Sequence, residues 1–364
     1  MVVFLGKEEY IDMEATAKEL FAPGKLRKEV IDEGLCPFCG GCAAGCPYLA
    51  QYRGGIVQLD HCTLSEGNCY QYCPRTYTDI DALSQKLFGV PFTGDGIGIA
   101  KEVFLAKSTD PEIQEKAQDG GVITALLSVA LSEGIIDAAI GTRLSDGKTK
   151  DGLLARNIVT SMSGDSSPVG ILARSKKEVL QTAEADYATA RVLSTLNSIP
   201  KESSERLAMI GLPCQVASVS KRKMSPPENR AKMDNVRLVI SLFCATKRWL
   251  EPGEDRKYIN EACSYCWDWT GEFADISVGS GRAKFKDWNI VVVRTNAGAE
   301  LVDVAKGKGA LETQPIPDES LAIEEKASLD KKKRALKNIV AKTGDRKNLL
   351  YLGLSEAIVD RLSA

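Results

Sequence analysis

Residues 36–47 read Cys36-Pro37-Phe38-Cys39-Gly40-Gly41-Cys42-Ala43-Ala44-Gly45-Cys46-Pro47, and this stretch decides the fold of the N-terminal part of the chain. Its four cysteines follow the C-x2-C-x2-C-x3-C-P spacing that holds cubane iron–sulfur clusters. The glycines between them allow tight turns, so three thiolates can converge on one cluster while the fourth points to a second. The stretch therefore predicts a small ferredoxin-like domain with two [4Fe-4S] clusters.

Three further cysteines follow shortly afterwards, at Cys62, Cys69 and Cys73. In the two-cluster arrangement the first ligand set is Cys36, Cys39, Cys42 and Cys73. The second set is Cys46, Cys62 and Cys69. Seven cysteines thus stand at eight ligand positions, because a regular motif would have cysteines where this chain has Thr63 and Glu66.

The eighth ligand is open from sequence. The candidates are His61, Asp60, Ser65 and a group from outside the chain; the alternatives are a three-iron cluster or an empty second site. His61 is the only histidine in the chain, but a lone histidine is more often a surface or packing residue. A zinc site would need four ligands in two pairs, and a disulfide framework suits an oxidising compartment, so both are weaker explanations of the stretch.

The overall composition is that of a globular protein. At 364 residues we expect two or three domains, and a formal charge of −2 gives no reason to expect nucleic acid or an anionic membrane as a partner. The first ten residues do not resemble a secretory signal, and no apolar run is long enough to span a membrane. The sequence predicts a soluble, cytoplasmic protein.

The chain divides at a glycine-rich and proline-containing segment, residues 89–100. We expect a helical and iron–sulfur domain in residues 1–88, with helices over 8–33, broken at Pro23-Gly24, and over 76–88. A short strand is expected at residues 56–59. The main domain is expected over residues 101–316 and a helical extension, interrupted at Gly344, over residues 317–364.

The main domain alternates strands with helices, which is typical of an α/β fold. We predict a mixed sheet with flanking helices. Its strands are expected at residues 103–106, 135–141, 157–162, 169–173, 207–212, 236–243, 275–278 and 290–294. Helices are expected from about residue 119 to Gly134 and over residues 177–196 and 215–223.

The last four cysteines are Cys214, Cys244, Cys263 and Cys266. Cys214 and Cys244 each follow a predicted strand, and strand ends of an α/β domain lie along one edge of the sheet. The C-x2-C pair can complete a four-thiolate site there. The alternative is that Cys214 and Cys244 are buried apolar residues and that only the C-x2-C pair has a function.

These residues resemble a known family, the beta subunits of coenzyme F420 hydrogenases and dehydrogenases, over about residues 101–341. The motifs that carry the resemblance are Ser108-Thr109-Asp110, Gln118-Asp119-Gly120-Gly121, Gly134-Ile135-Ile136-Asp137, Gly211-Leu212-Pro213-Cys214-Gln215, Leu242-Phe243-Cys244, Cys263-Ser264-Tyr265-Cys266, Ala274-Asp275-Ile276-Ser277-Val278-Gly279-Ser280 and Val293-Arg294-Thr295. The resemblance implies a cubane cluster on the last four cysteines, and FAD. It places the flavin against Ser108, Asp119, Gly120, Gly121 and Thr124, although adjacent glycines also occur where a helix packs tightly.

Two segments differ from the family pattern. The chain has Glu184-Ala185-Asp186-Tyr187-Ala188 where the family has Gly-Ser/Thr-Lys-Tyr, and the interval from Cys244 to Cys263 is short. We expect both differences to affect the pocket for the hydride donor.

The resemblance implies an oxidoreductase subunit in which FAD connects a hydride carrier, coenzyme F420 or NAD(P)H, with two or three [4Fe-4S] clusters. Partner subunits would be those of a hydrogenase, formate dehydrogenase or heterodisulfide-reductase-like complex. The alternatives are a ferredoxin-dependent reductase of an organic substrate and a non-catalytic electron relay. No residue is assigned as a catalytic acid or base.

Overall fold

The computed structural model describes residues 21–52, 55–143, 169–183, 190, 192–200, 202–225, 233–246 and 260–363. Three expectations from sequence lie outside these residues: the helix over residues 8–20, the strand over residues 157–162, and both segments that differ from the family pattern. No helix of the described part combines the length and apolar composition that a membrane span requires.

An eight-stranded sheet forms the centre of the molecule, with the strand order β11-β4-β10-β9-β8-β7-β5-β6. Its strands are β4 (Glu102–Ser108), β5 (Ala138–Arg143), β6 (Val169–Ala173), β7 (Leu207–Gly211), β8 (Val236–Leu242), β9 (Ile276–Ser280), β10 (Asn289–Val293) and β11 (Leu311–Pro315). Strands β5, β7, β8 and β9 run parallel, and antiparallel strands continue the sheet on both sides. The mixed α/β fold predicted for the main domain is confirmed.

Both faces of this sheet are covered, because successive side chains of a strand point to opposite faces. On β7, Leu207 and Met209 join one apolar core, whereas Ala208 joins the other. Every residue of β10 is buried. The sequence of the central strands is therefore a nearly continuous apolar run, as expected of strands buried on both faces.

Helices flank the sheet. They are α1 (Ala22–Leu26), α2 (Gly41–Gly45), α3 (Asn68–Gln71), α4 (Ile80–Phe88), α5 (Pro111–Lys116), α6 (Val122–Ser132), α7 (Lys176–Val179), α8 (Pro213–Met224), α9 (Asn296–Gly307), α10 (Asp318–Thr343) and α11 (Glu356–Ser363). The side chain of Thr295 caps α9 by accepting a hydrogen bond from the N–H of Gly298. Helix α10 ends at Gly344, which has a φ of 67°, so the predicted interruption there is confirmed.

The N-terminal segment is joined to the C-terminal one by strand pairing. The hairpin β1 (Leu49–Tyr52) and β2 (Gly55–Gln58) is antiparallel. Strand β3 (Thr78–Asp79) pairs in parallel with β12 (Leu352–Gly353), which precedes α11. The two ends of the described chain are thus part of one packed unit.

Pro23 lies in the first turn of α1, where a missing N–H costs nothing, and an extended Phe21 precedes this helix. The break expected at Pro23-Gly24 is not tested, because residues 8–20 lie outside the described part of the chain. Two other local expectations are wrong in the described residues. The strand expected from residue 135 begins at Ala138 because the N–H groups of Ile135 and Ile136 bond to the carbonyl of Ala130 at the end of α6.

The long helix expected over residues 177–196 is also wrong. Among the described residues of this range, only Lys176–Val179 is α-helical, and Leu180–Thr182 and Leu193–Ser198 form separate 3-10 turns. The Thr182 hydroxyl donates to the carbonyl of Val179 at 2.7 Å, which favours a tight turn over helix continuation. The sequence analysis did not predict β11, β12 or α9, whereas α11 falls in the helical extension expected after Gly344.

Candidate functional site

All eleven cysteines lie in the described part of the chain, and none of them forms a disulfide there. The described histidine, cysteine and acidic side chains contain no set of three close enough to share a single metal ion. A cubane cluster places each thiolate on a different iron, so its ligands stand farther apart than those of one ion. Ligation of clusters by these cysteines therefore stays a prediction.

The N-terminal group consists of Cys36, Cys39, Cys42 and Cys73. Burial raises the pKa of Cys39 well above its usual value, and the neighbouring thiols of Cys214, Cys73 and Cys36 raise it further. Burial likewise raises the pKa of Cys42, with added effects of Cys39, Cys73 and Cys36. The four side chains therefore lie together, in the combination that the spacing predicts; ligation itself stays a prediction.

Two glycines allow this group to form. Gly40 has a φ of +83° at the start of α2, a conformation that side chains disfavour. A Cβ on Gly41 would lie 1.9 Å from the Ser218 hydroxyl oxygen on α8. The absent side chain at Gly41 thus lets α2 and its cysteines lie directly on the main domain.

The outer group consists of Cys46, Cys62 and Cys69. Burial raises the pKa of Cys69 to about 11, and the neighbouring thiols of Cys46 and Cys62 contribute to the increase. His61 is exposed beside Cys62, and its ring packs edge-on against Phe21 at 6.2 Å. Asp60 and Ser65 are also exposed, so the structure does not select an eighth ligand among the three.

The strand-end group consists of Cys214, Cys244, Cys263 and Cys266. Cys214 lies in the first turn of α8 directly after β7, and Cys244 follows the adjacent parallel strand β8. Cys263 and Cys266 share one turn, in which the N–H of Cys266 donates to the carbonyl of Cys263 at 3.3 Å. The N–H of Cys244 donates to the carbonyl of Trp269 at 2.8 Å, so the segment that follows the C-x2-C turn lies beside the residue after β8. A common ligand set of the four cysteines stays a prediction.

Cationic side chains surround the strand-end group. Lys331 of α10 donates to the carbonyl of Cys244 at 2.5 Å and to that of Asp268 at 2.7 Å. Although burial acts in the opposite direction, the charges of Lys331 and then Arg75 lower the pKa of Cys266. A thiolate, the ligand form of cysteine, is thereby favoured at this position.

A cleft opens next to the strand-end group, and part of its space is continuous with solvent. Among the residues that line it are Asp119, Gly121, Thr124, Gly211, Leu212, Gln215 and Leu242. The ends of β7 and β8 form the floor of this cleft.

Of the five predicted flavin contacts, Asp119, Gly121 and Thr124 line this cleft, whereas Ser108 and Gly120 are buried behind its wall. A Cβ on Gly120 would lie 2.7 Å from the carbonyl oxygen of Ala106. The adjacent glycines are therefore required by packing of the chain, which is the alternative explanation of the pair. Flavin contact at the five positions stays a prediction.

Gln215 connects the cleft with the cysteines. It is 2% exposed, and its side chain accepts from the N–H of Leu212 at 2.9 Å and donates to the carbonyl of Ala190 at 3.1 Å. These bonds hold the turn that carries Cys214 against the cleft floor. A ligand in the cleft would be separated from Cys214 by this one turn.

Sequence reasoning assigned no role at the site to four residues, Gln215, Asn289, Lys331 and Arg75. Asn289 accepts from the N–H of Val122 and donates to the carbonyl of Gly279 at the cleft wall. Arg75 had a sequence signal, since it follows Cys73-Pro74 directly. Lys331 had no such signal, because it belongs to the basic run Lys331-Lys332-Lys333-Arg334, and a basic run in a helix usually faces solvent.

The donor sets fit iron–sulfur clusters: they contain thiols, they are largely buried, and the buried Nε of Arg75 has no hydrogen-bond partner among the described residues. With its eight-stranded mixed sheet, its cleft and three cysteine groups, the molecule has the architecture of an α/β redox protein. The chain belongs to the family of coenzyme F420 hydrogenase/dehydrogenase beta subunits. The family's N-terminal model matches residues 103–197, and its C-terminal model matches residues 204–250 and 247–319.

Individual relatives agree with this assignment. The chain is 28% identical to the coenzyme F420 hydrogenase subunit beta of Methanothermobacter thermautotrophicus, over 68% of this chain and 96% of the relative. It is 26% identical to a subunit of the F420H2 dehydrogenase of Methanosarcina mazei, over 79% and 87%. The match to the coenzyme F420-dependent sulfite reductase of Methanocaldococcus jannaschii, at 24% identity, covers 79% of this chain and 48% of that protein.

The fold is similar to a solved structure. A chain of the F420-reducing [NiFe] hydrogenase complex from Methanosarcina barkeri superposes with a TM-score of 0.58 and 25% identity. The superposition covers 69% of this chain and 95% of the other. The named relatives are oxidoreductases or their subunits, so the coarse class of this chain is an oxidoreductase subunit.

Proposed function

We propose that this chain passes electrons between a hydride carrier and a partner protein, using FAD in the cleft and [4Fe-4S] clusters on the cysteine groups. Cys214, Cys244, Cys263 and Cys266 would hold the cluster next to the flavin. The N-terminal group would hold a second cluster, and the three cysteines of the outer group a third. Such a flavin exchanges a hydride as two electrons and releases them singly, which a nicotinamide or deazaflavin does not do.

One observation carries this proposal: each cysteine group has a member close to the cleft or to the next group. Leu212 and Gln215 line the cleft on either side of Cys214. Cys214 in turn is close enough to Cys39 for its charge to raise the pKa of that thiol, after burial. Cys42 of the N-terminal group lies in the short helix α2, and Cys46 of the outer group directly follows that helix. This order supports a path from the cleft to the surface of the N-terminal segment.

The side chains around the path position and insulate it. Cys39, Cys42, Cys73 and Cys263 are each less than a tenth exposed, which excludes water from their surroundings. The Asp119 carboxylate at the cleft accepts a hydrogen bond from Ser280 at 3.0 Å. Asp119 and the Thr124 hydroxyl are thus available to orient a bound ring or sugar.

Coenzyme F420 is the proposed carrier, because the relatives named above are F420 hydrogenase, dehydrogenase and sulfite reductase proteins. The proposed partner is a further subunit of a redox complex such as a hydrogenase, formate dehydrogenase or heterodisulfide-reductase-like assembly. NAD(P)H as the carrier, a ferredoxin-dependent reductase and a non-catalytic relay remain the alternatives that an experiment must separate.

The test is anaerobic purification followed by measurement of flavin, iron and acid-labile sulfide. We expect one flavin and about twelve irons per chain if all three groups hold four-iron clusters. A content near four irons would contradict a path of several clusters. If no flavin copurifies, the chain is better explained as a relay.

The carrier is tested by mixing the protein with reduced coenzyme F420, NADH, NADPH or reduced ferredoxin, and following the flavin absorbance. We expect reduced coenzyme F420 to bleach the flavin stoichiometrically. If only NADH or NADPH bleaches the flavin, the carrier is a nicotinamide and not coenzyme F420. If only reduced ferredoxin bleaches it, a reductase that acts on an organic substrate is favoured.

A further inference from the structure

Arg75 joins the N-terminal segment to the C-x2-C turn of the main domain. It is 5% exposed. Its Nη1 donates to the carbonyl of Tyr265 at 3.3 Å and to the hydroxyl of Tyr351, and its Nη2 donates to the carbonyl of Ala262 at 3.3 Å. Ala262 and Tyr265 are the residues directly before Cys263 and Cys266, so the guanidinium holds both peptide bonds that lead into these cysteines.

The charge of Arg75 has no anionic partner among the described protein side chains. No described carboxylate forms an ion pair with it; the oxygens that accept its hydrogen bonds are neutral, and it lies 4.4 Å over the Tyr351 ring. Its Nε is buried and has no hydrogen-bond partner in the described part of the chain. Burying a cation without a paired anion is costly, so this position implies that an anion belongs nearby.

Two cysteine groups face Arg75. Its backbone N–H donates to the Cys73 sulfur at 3.4 Å, and its side chain reaches the turn of Cys263 and Cys266. Lys221 donates to the carbonyl of Cys73 at 2.8 Å, and Lys331 donates to the carbonyl of Cys244 at 2.5 Å. Of these three cations, Arg75 is the one whose hydrogen bonds reach both cysteine groups within the described part of the chain.

We propose that Arg75 is a positioning residue shared by two clusters, one on the N-terminal group and one on the strand-end group, whose positive charge makes both easier to reduce. This inference rests on the proposed function, since it requires clusters on both groups. A thiolate-ligated cluster gains negative charge when it is reduced, and a buried cation between two such clusters stabilises the reduced form of each. The Nε–H, which has no partner among the described residues, is the donor that remains for a negatively charged sulfur atom of a cluster or of its thiolates.

The test replaces Arg75 by glutamine and by lysine in the full chain and measures cluster potentials by redox titration monitored with electron paramagnetic resonance. In R75Q we expect the reduced-to-oxidised ratio of both clusters at a fixed potential to fall at least tenfold, which is about 59 mV for a one-electron couple. In R75K we expect unequal shifts, because a lysine ammonium is a point charge and cannot span both sites.

Lys221 and Lys331 provide matched controls. We expect K221Q to shift the signal of the N-terminal group and K331Q to shift that of the strand-end group, each without the other. The shared charge is supported if R75Q is the one neutral variant that shifts the reduction potentials of both clusters. A shift of one cluster or of neither in R75Q overturns it.

The outcomes separate this inference from the proposed function. If the parent protein holds no clusters, the proposed function fails and this inference fails with it. If the parent holds both and R75Q leaves their potentials unchanged, only the inference fails. Should R75Q assemble no clusters, R75K decides: unequal shifts support the shared charge, whereas two unshifted or two equally lowered potentials contradict it.

Discussion

Glu272 and Lys332 form an ion pair that is buried beneath the linker between the N-terminal segment and the main domain. Lys332 Nζ lies 2.6 Å from Glu272 Oε1, and the two side chains are 1% and 2% exposed. The same ammonium donates to the carbonyl of Gly96 at 2.7 Å. A Cβ on Gly98 would lie 2.3 Å from the other carboxylate oxygen. One charged pair thus fixes the path of residues 95–98 against α10.

This pair predicts a pH dependence of stability. Burial raises the pKa of Glu272 to about 7, although Lys332 acts in the opposite direction. A carboxyl whose pKa is higher in the folded than in the unfolded state binds a proton on folding, so its contribution to stability is present at low pH and is lost as the pH rises from about 4.5 to about 7. Relative to E272Q, the parent should lose on the order of 3 kcal/mol across this window. Urea unfolding of both proteins at a series of pH values measures the difference.

K332M is the control for that experiment. Without the ammonium, the pKa of Glu272 should increase, so the loss of stability should extend to higher pH. Identical pH profiles for the parent and E272Q would show that Glu272 does not titrate in this window.

At the scale of elements, the close approach of α2 to α8 determines where the N-terminal cysteines lie. The carbonyl of Ala43 on α2 accepts from the Asn197 side chain at 3.2 Å, and the Ser218 hydroxyl on α8 donates to the carbonyl of Tyr72 at 2.8 Å. Because a Cβ on Gly41 would overlap the Ser218 side chain, G41A should lower the free energy of unfolding by about 1–3 kcal/mol. Denaturant unfolding of the apoprotein measures this change without involving a cofactor.

A double variant locates the cause. Ser218→Gly removes the atoms that the new methyl group would meet. The loss of unfolding free energy in G41A/S218G should therefore be smaller than the sum of the losses in the two single variants. Gly307→Ala is the matched control, since a Cβ there meets open space, and it should be neutral or stabilising. Additive effects in the double variant would assign the cost of G41A to another contact.

The sequence was sufficient for the elements that depend on local pattern. The central strands are apolar runs, and seven of the eight strands of the sheet could be predicted from them. Strand β11 was missed because its sequence, Leu311–Pro315, is mostly polar and exposed and it pairs only at the sheet edge with β4. Spacing proposed the N-terminal and outer cysteine groups, and the strand-end group also needed the family resemblance. The roles of Arg75 and Gln215 were not predicted, because they arise from contacts with other parts of the chain.

At the scale of the whole molecule, the N-terminal segment is not an appendage of the main domain. Strand β12 near the C-terminus pairs with β3, and Lys221 of α8 donates to the carbonyls of Cys73, Thr76 and Tyr77. Ala44, Leu83 and Leu336 belong to one apolar core. The segment that carries the first seven cysteines is therefore packed against the main domain, which carries the other four.

We expect electrons to pass from the hydride carrier to the flavin, from the flavin to the strand-end cluster, and from there to the N-terminal group. Cys214→Ser should interrupt the second of these steps, the transfer from the flavin to the strand-end cluster. The variant should lose the strand-end cluster but keep the cleft, so reduced coenzyme F420 should still bleach the flavin while the N-terminal group is reduced at least tenfold more slowly. Rapid mixing, with freeze-quench electron paramagnetic resonance for the clusters, measures both steps. Dithionite should still reduce the N-terminal group in this variant, which establishes that its cluster is intact. Cys46→Ser should instead remove the outer cluster and leave transfer from the flavin to the first two clusters in place. Equal rates in the parent and C214S would mean that electrons reach the N-terminal group by a route that bypasses the strand ends, and the path inferred from the order of the groups would be wrong.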